Sequence, residues 1–364
     1  MAFDALAEPG LWLAAMAGGA FGAALGAVPS LALSGLLVVA GEALAAVNAN
    51  LPTPGSGSAG QLGSGVTQAL ALGPVLGPHV AFAGGAAAAA YAARKGYTDS
   101  VFQYHEAKNV YQGLGTRPDV LAVGAAVGAL GFALRHVSGG LGLPFDPVFA
   151  ALLVTGLVHR VALGFPVLGQ VRGEGYLDMT PFERGERRHP PAGSERVYDP
   201  EEDEEGVLLT RLAVEPWLAH QYEWASVAAV GLVAGVLGAY TAVVTNSAFL
   251  AFGFSAASLL LLAADAGDVP VTHHVTLPAS TAALAVMAPG NAVLAGAGPL
   301  VAIVVGTLVG LVSALAAEAF QRVGYAHGDT HWDPAAAGIV VGTLLVALAA
   351  MAGLFASAVW IPVP

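Results

Sequence analysis

Long apolar runs alternate with shorter polar connections along the whole chain. A helix needs about 20 mostly apolar residues to cross the hydrocarbon core of a bilayer. Ten runs approach that length, and we predict membrane-spanning helices at 11–28, 29–48, 74–94, 118–137, 147–168, 224–244, 246–266, 274–290, 295–320 and 334–358. The predicted fold class is therefore an all-α polytopic membrane protein.

Two connections stand out by their charge. Residues 49–73 carry proline, glycine and serine but no charged side chain, and we expect part of this stretch, 63–73, to re-enter the membrane or to pack inside the protein. An ordinary Gly/Ser loop is the alternative.

Residues 169–223 are rich in acids and include the run Glu201–Glu205. Such a run repels itself, so we interpret this region as a solvated linker without chemistry.

Five sequence blocks recur in the same order in the two halves of the chain. The recurring pairs are Trp12/Trp224, Glu42/Asp265, His79-Val80/His274-Val275, Pro118/Pro299 and Asp146-Pro147/Asp333-Pro334. We infer an internal duplication, with a first five-helix repeat at 1–168, an acidic cytoplasmic linker at 169–223 and a second five-helix repeat at 224–364.

An odd number of crossings in each repeat makes the two repeats face opposite sides of the membrane. Inverted repeats of this kind place a substrate or ion site near the bilayer midplane, between the repeats. In helix number and pseudo-symmetry the chain resembles the five-plus-five helix channels for urea and ammonia, and some secondary transporters. The resemblance implies a central pathway, and it transfers no functional residue because no residue motif is shared.

Composition supports a membrane location and narrows the partners. The chain is 56% hydrophobic and only 10% charged, with a mean hydropathy of +0.70, whereas soluble domains carry about 25% charged residues. Its net charge of −12 argues against nucleic acid as a partner and is typical of a halophilic archaeon. Most basic residues follow odd-numbered helices, which predicts a multi-pass cell-membrane protein with both termini extracellular.

Ionisable side chains inside membrane segments are costly and are therefore candidates for function. We predict that four of them face the protein interior. Glu42 and Asp265 would each bind a cation or relay a proton, and His79 and His274 would line a pore and sense pH. The alternative places them at the wet interface, without a role. Further candidates for a polar lining are Thr155, Arg160, Tyr240 and Asn246, although Arg160 is close enough to the inner end of its helix to extend its side chain to water.

Other polar motifs have simpler interpretations. Asp146-Pro147 and Asp333-Pro334 suit the N-cap and first positions of helices. His327, Asp329 and His331 form a weak metal candidate, for which a solvated loop is the better interpretation because the first repeat lacks the cluster. We therefore assign no metal and no other cofactor. No Walker loop, HExxH helix or GxSxG elbow is present, so we do not expect an enzyme.

These observations favour a channel or secondary transporter for a small solute or ion, with its site between the repeats. The alternative is a structural or accessory oligomeric membrane protein that has no pathway. The expected partners are the lipid bilayer, a small solute or ion, and further copies of the chain in a trimer or dimer, the last by analogy only.

Overall fold

The computed structural model describes residues 3–50, 63, 65–98, 103–188 and 211–363. Within these ranges the fold is all-α, as predicted, with one pair of two-residue antiparallel strands, β1 (Arg187–Arg188) and β2 (Arg211–Leu212). The main helices in these ranges are α1 (Pro9–Leu25), α2 (Ala27–Asn50), α3 (Ala83–Lys95), α4 (Pro118–Gly140), α5 (Pro147–Ala162), α6 (Trp224–Thr245), α7 (Leu250–Ala257, continued by Leu259–Ala263), α8 (His273–Met287), α9 (Pro299–Phe320) and α10 (Pro334–Met351).

Five of these segments are long and apolar enough to cross a membrane, which indicates a membrane protein. They are Ala27–Val47, Pro118–Gly140, Trp224–Thr245, Pro299–Ala326 and Pro334–Met351. Helices α1, α5 and α7 are apolar but shorter. Turns of π-helix precede α3 (Val66–Ala71 and Pro78–Phe82) and extend α9 (Gln321–Ala326), and shorter helical turns lie at Asp4–Ala7, Glu106–Lys108 and Thr180–Glu183.

The N-cap predictions for α5 and α10 are confirmed. Asp146 Oδ1 accepts hydrogen bonds from the N–H groups of Val148 (2.6 Å) and Phe149 (3.1 Å). Asp333 Oδ1 accepts the equivalent bonds at the start of α10, at 2.8 and 3.2 Å. Each carboxylate satisfies two of the backbone donors that a helix start leaves free.

The segment 65–77 packs along α2 through its buried residues, while residues 68–70 are exposed. Thr67 and Ala71 are buried; Thr67 Oγ1 donates a hydrogen bond to Glu42 Oε1 (3.0 Å), and the Ala71 carbonyl accepts one from Ser34 Oγ (2.6 Å). The chain then breaks at residues 72–77 before it continues through Pro78–Phe82 into α3. The predicted internal packing of 63–73 therefore holds for only part of the described stretch; residues 51–62 and 64 lie outside the described part of the chain.

The same helix pairs touch in each half of the chain. In the first half α1 contacts α3 and α4, and α4 contacts α3 and α5; in the second half α6 contacts α8 and α9, and α9 contacts α8 and α10. The halves meet through equivalent helices, α2 against α7 and α5 against α10. The arrangement of contacts is therefore repeated along the chain.

The two helices in each of these pairs are antiparallel. Along α2, Val28 shares a cavity with Leu262, Gly35 packs on Gly253, and Glu42 bonds to Ser247 just before α7. Between α5 and α10, the Asp146 N–H donates to Thr343 Oγ1 (3.0 Å), whereas Trp332 Nε1, before α10, donates to the Leu153 carbonyl in α5 (3.0 Å). In each pair the start of one helix lies beside the later part of the other.

The centre of this interface is apolar and closely packed. Leu31, Phe149, Leu152 and Phe252 are all buried there, and the rings of Phe149 and Phe252 pack edge to face with centroids 5.8 Å apart. Because Phe149 lies in α5 and Phe252 in α7, this aromatic contact joins the two halves.

Candidate functional site

His79 and His274 occupy equivalent, buried positions. His79 lies in the π-helical turn before α3, and His274 lies in the first turn of α8; their exposed fractions are 0% and 1%. Gly131 of α4 packs directly on the His79 carbonyl, where a Cβ would not fit, and Ser313 of α9 donates a hydrogen bond to the His274 carbonyl (2.6 Å). Equivalent helices thus hold the backbone of each histidine.

The two carboxylates predicted to be equivalent lie in different surroundings. Glu42 is half-buried and accepts hydrogen bonds from Thr67 and from Ser247 Oγ (2.6 Å). Asp265 is exposed, which corrects the expectation that it faces the interior. The physical reason is that α7 ends at Ala263 and Asp265 takes a left-handed conformation (φ 53°) in the following turn, a conformation that Asp tolerates better than most residues.

The four residues considered for a polar lining do not come together. Tyr240 and Asn246 are exposed on and after α6, and Thr155 is buried with its hydroxyl bonded to the Leu152 carbonyl of its own helix (2.8 Å). Arg160 is fully buried, so it does not extend to water. Its guanidinium instead donates to Thr330 Oγ1 (2.7 Å) and to the carbonyls of residues 167, 324 and 330.

The residues of the weak metal candidate, His327, Asp329 and His331, do not come together as a metal site. In the described ranges no group of three or more His, Asp or Glu side chains could hold a metal ion. His327 packs against Tyr176, His331 packs between Phe82 and Tyr325, and Asp329 pairs with Arg188 (2.7 Å) and Arg211. The expected solvated loop is also wrong for this stretch, since His327 and His331 are 0% and 3% exposed.

A buried ionic cluster joins three connections that are far apart in sequence. Lys108 Nζ lies 2.6 Å from Glu215 Oε2, both side chains being fully buried, and Arg211 bridges Glu215 (3.1 Å) to Asp329. Burial lowers the pKa of Lys108 to about 8, although Glu215 acts to raise it. Residues 211–215 are all buried, which corrects the interpretation of this part of the linker as solvated; Glu201–Glu205 lie outside the described residues.

Two small cavities lie beside the start of α8, and sequence reasoning missed both. The first, of about 10 Å³, is lined by His274, Gln221 and Glu318 among apolar residues. The second, of about 20 Å³, is lined by Tyr111, His273, His331 and Asp333 together with residues of α2 and α7. The pairs His273-His274 and His331-Asp333 were visible in the sequence, but only the fold brings them to one place.

Buried titratable groups line both cavities, and the second cavity lies where the two halves meet. His273 and His274 are neighbours in α8 with ring centroids 6.0 Å apart, and each lines a different cavity. Each cavity also contains a carboxylate, Glu318 in the first and Asp333 in the second. Such groups can exchange protons or bind a small polar guest, because imidazole both donates and accepts hydrogen bonds.

Comparison with known proteins places the chain in a family without indicating a function. No curated protein and no solved structure matches it. Over residues 1–364 the sequence matches a family described as "Family of unknown function (DUF7973)", and the chain belongs to this family.

Proposed function

We propose that this protein is a multi-pass membrane channel or secondary transporter for a small solute or ion. The proposed architecture is two inverted five-helix repeats, α1–α5 and α6–α10, with the site between them. The repeated helix contacts and the antiparallel packing of α2 with α7 and of α5 with α10 support it, because two equivalent helices can be antiparallel only if their repeats point in opposite directions.

The observation that carries the functional proposal is the burial of both His79 and His274, a pair of histidines that recurs in the two halves of the sequence. Buried ionisable groups in a membrane protein mark substrate, ion or proton pathways. The break at residues 72–77 before His79 adds support, since transporter sites are commonly built around discontinuous helices. In this account the contact between Phe149 and Phe252 closes the pathway in the observed conformation.

The proposed orientation follows the basic residues. Arg94, Lys95, Lys108 and Arg117 flank the connection between α3 and α4, and the long linker carries six more arginines, so that side is assigned to the cytoplasm of the cell membrane. Both termini are then extracellular.

A second candidate function is a structural or accessory oligomeric protein. It is favoured by the small size of the two cavities and by the apolar surface of α6 and α9, where Val233 and Leu300 are 72% and 75% exposed. That surface suits lipid or another copy of the chain equally well.

Reconstitution of the purified full-length chain into liposomes tests the proposal. Entry of urea, glycerol and ammonium chloride is followed by light scattering, and entry of Na⁺, K⁺ and Cl⁻ by ion-sensitive dyes. We expect one of these probes to enter at least tenfold faster than in protein-free vesicles, and His79→Phe to slow it. Rates equal to those of protein-free vesicles for every probe would favour the accessory role.

A further inference from the structure

The 20 Å³ cavity between the halves contains two imidazoles without hydrogen-bond partners. His273 and His331 are 2% and 3% exposed, and neither ring nitrogen of either residue has a partner among the described residues. Leaving a buried polar group unpaired costs about 1–3 kcal/mol. A guest that both donates and accepts hydrogen bonds would remove that cost.

The size of the cavity restricts that guest. A cavity of 10–15 Å³ or more is needed for one water molecule, so 20 Å³ accommodates about one. It is too small for urea or any larger solute. Tyr111 and Asp333 complete the polar part of the lining, and these oxygen and nitrogen groups suit water carrying a proton.

The neighbouring residue His274 lines the other cavity, the one of about 10 Å³. His274 follows His273 in α8 and lines the 10 Å³ cavity with Glu318, whose Oε1 lies 2.6 Å from Arg322 Nε. The two adjacent imidazoles therefore line two different small cavities beside the start of α8.

We propose that His273, His331 and the cavity they share form a proton relay, and that H⁺ is an ion moved by this protein. A protonated His331 gives its ring proton to a water molecule in the cavity, and that water gives one of its protons to His273. The water is regenerated, His331 becomes neutral, and one positive charge has moved to His273. The inference rests on the proposed transport function and names its ion.

The surroundings make protonation of these histidines transient. Burial opposes a lasting charge on His331, and His159 and the positive charges of Lys108 and Arg160 oppose it further. Lys108 and Arg160 themselves lie near Glu215 and Asp329. Apart from Asp333, which lines the cavity, the remaining neighbours are neutral aromatic or histidine side chains: Phe82 and Tyr325 around His331, Phe252 and His274 around His273, and Tyr111 in the cavity.

Proton entry into proteoliposomes tests the relay. A K⁺ gradient with valinomycin imposes an inside-negative potential, and pyranine inside the vesicles reports H⁺ entry. We expect wild type and the surface control His220→Phe to take up protons at least tenfold faster than protein-free vesicles. His273→Phe and His331→Phe, which fill the cavity with a ring that carries no proton, should bring the rate to the protein-free level.

Two further measurements separate the possible failures. Tyr111→Phe removes one oxygen from the cavity and should slow proton entry several-fold while gel filtration and thermal unfolding stay as in wild type. Solute entry is measured in the same vesicles. Solute entry without proton entry in wild type would overturn the relay and leave the transport proposal intact. If neither solutes nor protons enter, the relay and the transport proposal are both overturned. Proton entry that is unchanged in His273→Phe or His331→Phe would overturn the relay alone.

Discussion

Lys108 Nζ lies 2.6 Å from Glu215 Oε2, and both side chains are completely removed from solvent. The pair ties the connection between α3 and α4 to the linker that precedes α6, which spans 107 positions of sequence (215 − 108). Glu215 also accepts a hydrogen bond from the backbone N–H of His105 (2.9 Å) and pairs with Arg211. Arg211 pairs in turn with Asp329, which lies in the stretch that leads into α10.

We predict that Glu215→Gln strongly destabilises the protein, because it leaves the Lys108 ammonium buried without its counter-charge. Breaking a buried pair typically costs about 3–5 kcal/mol. The measurement is thermal unfolding in detergent. Lys108→Met combined with Glu215→Met should recover part of the loss, and Asp268→Asn, at an exposed carboxylate, should change nothing measurable. Equal loss in the single and double variants would contradict this account.

The buried His331 makes the folded state sensitive to acid. Burial, with smaller contributions from His159, Lys108 and Arg160, lowers the pKa of His331 from 6.5 to about 3. Between these values the unfolded chain binds a proton that the folded protein does not, so stability falls as the pH falls below 6.5, by up to about 1.4 kcal/mol per pH unit. His331→Phe should make the unfolding temperature fall less steeply between pH 6.5 and 4. An unchanged slope would show that His331 is protonated in the folded state.

The Asp333 carboxylate caps α10, and we predict that an amide in its place keeps most of the stability whereas a methyl group does not. Asp333→Ala removes the acceptor for two backbone N–H groups and should cost about 0.5–2 kcal/mol, whereas Asp333→Asn keeps an oxygen at that position. The exposed Asp268→Ala serves as control. The measurement is chemical denaturation. If Asp333→Asn is less stable than Asp333→Ala, the result would contradict the capping role.

Two glycines of α4 provide a matched pair for the packing of His79. An added Cβ at Gly131 meets the His79 carbonyl, whereas at Gly139 its nearest neighbour is 3.8 Å away. Gly131→Ala should therefore destabilise by about 1–3 kcal/mol through overpacking, while Gly139→Ala should be neutral or stabilise by up to about 1 kcal/mol. Thermal unfolding of both variants checks this, and equal effects would contradict the close approach.

The helices were largely predictable because each is a single apolar run, ended by proline, glycine or charge. Asp146 and Asp333 were predictable for a similar reason, since an N-cap is a local feature. The burial of Glu215 was not, because the sequence around it resembles a solvated acidic linker and its partner Lys108 is far away. Likewise His331 and His273, both in the second half of the chain, line one cavity only in the folded protein, and local sequence carries no signal for that proximity.

The central claim is that the two halves have opposite orientations in the membrane. The chain contains no cysteine, so single introduced thiols can be labelled without background. Thr116 and Val293 are exposed in equivalent connections, between α3 and α4 and between α8 and α9. With a membrane-impermeant maleimide on intact cells, we predict that Val293→Cys is labelled directly and Thr116→Cys only after permeabilisation; labelling of both from the same side would contradict the inverted architecture.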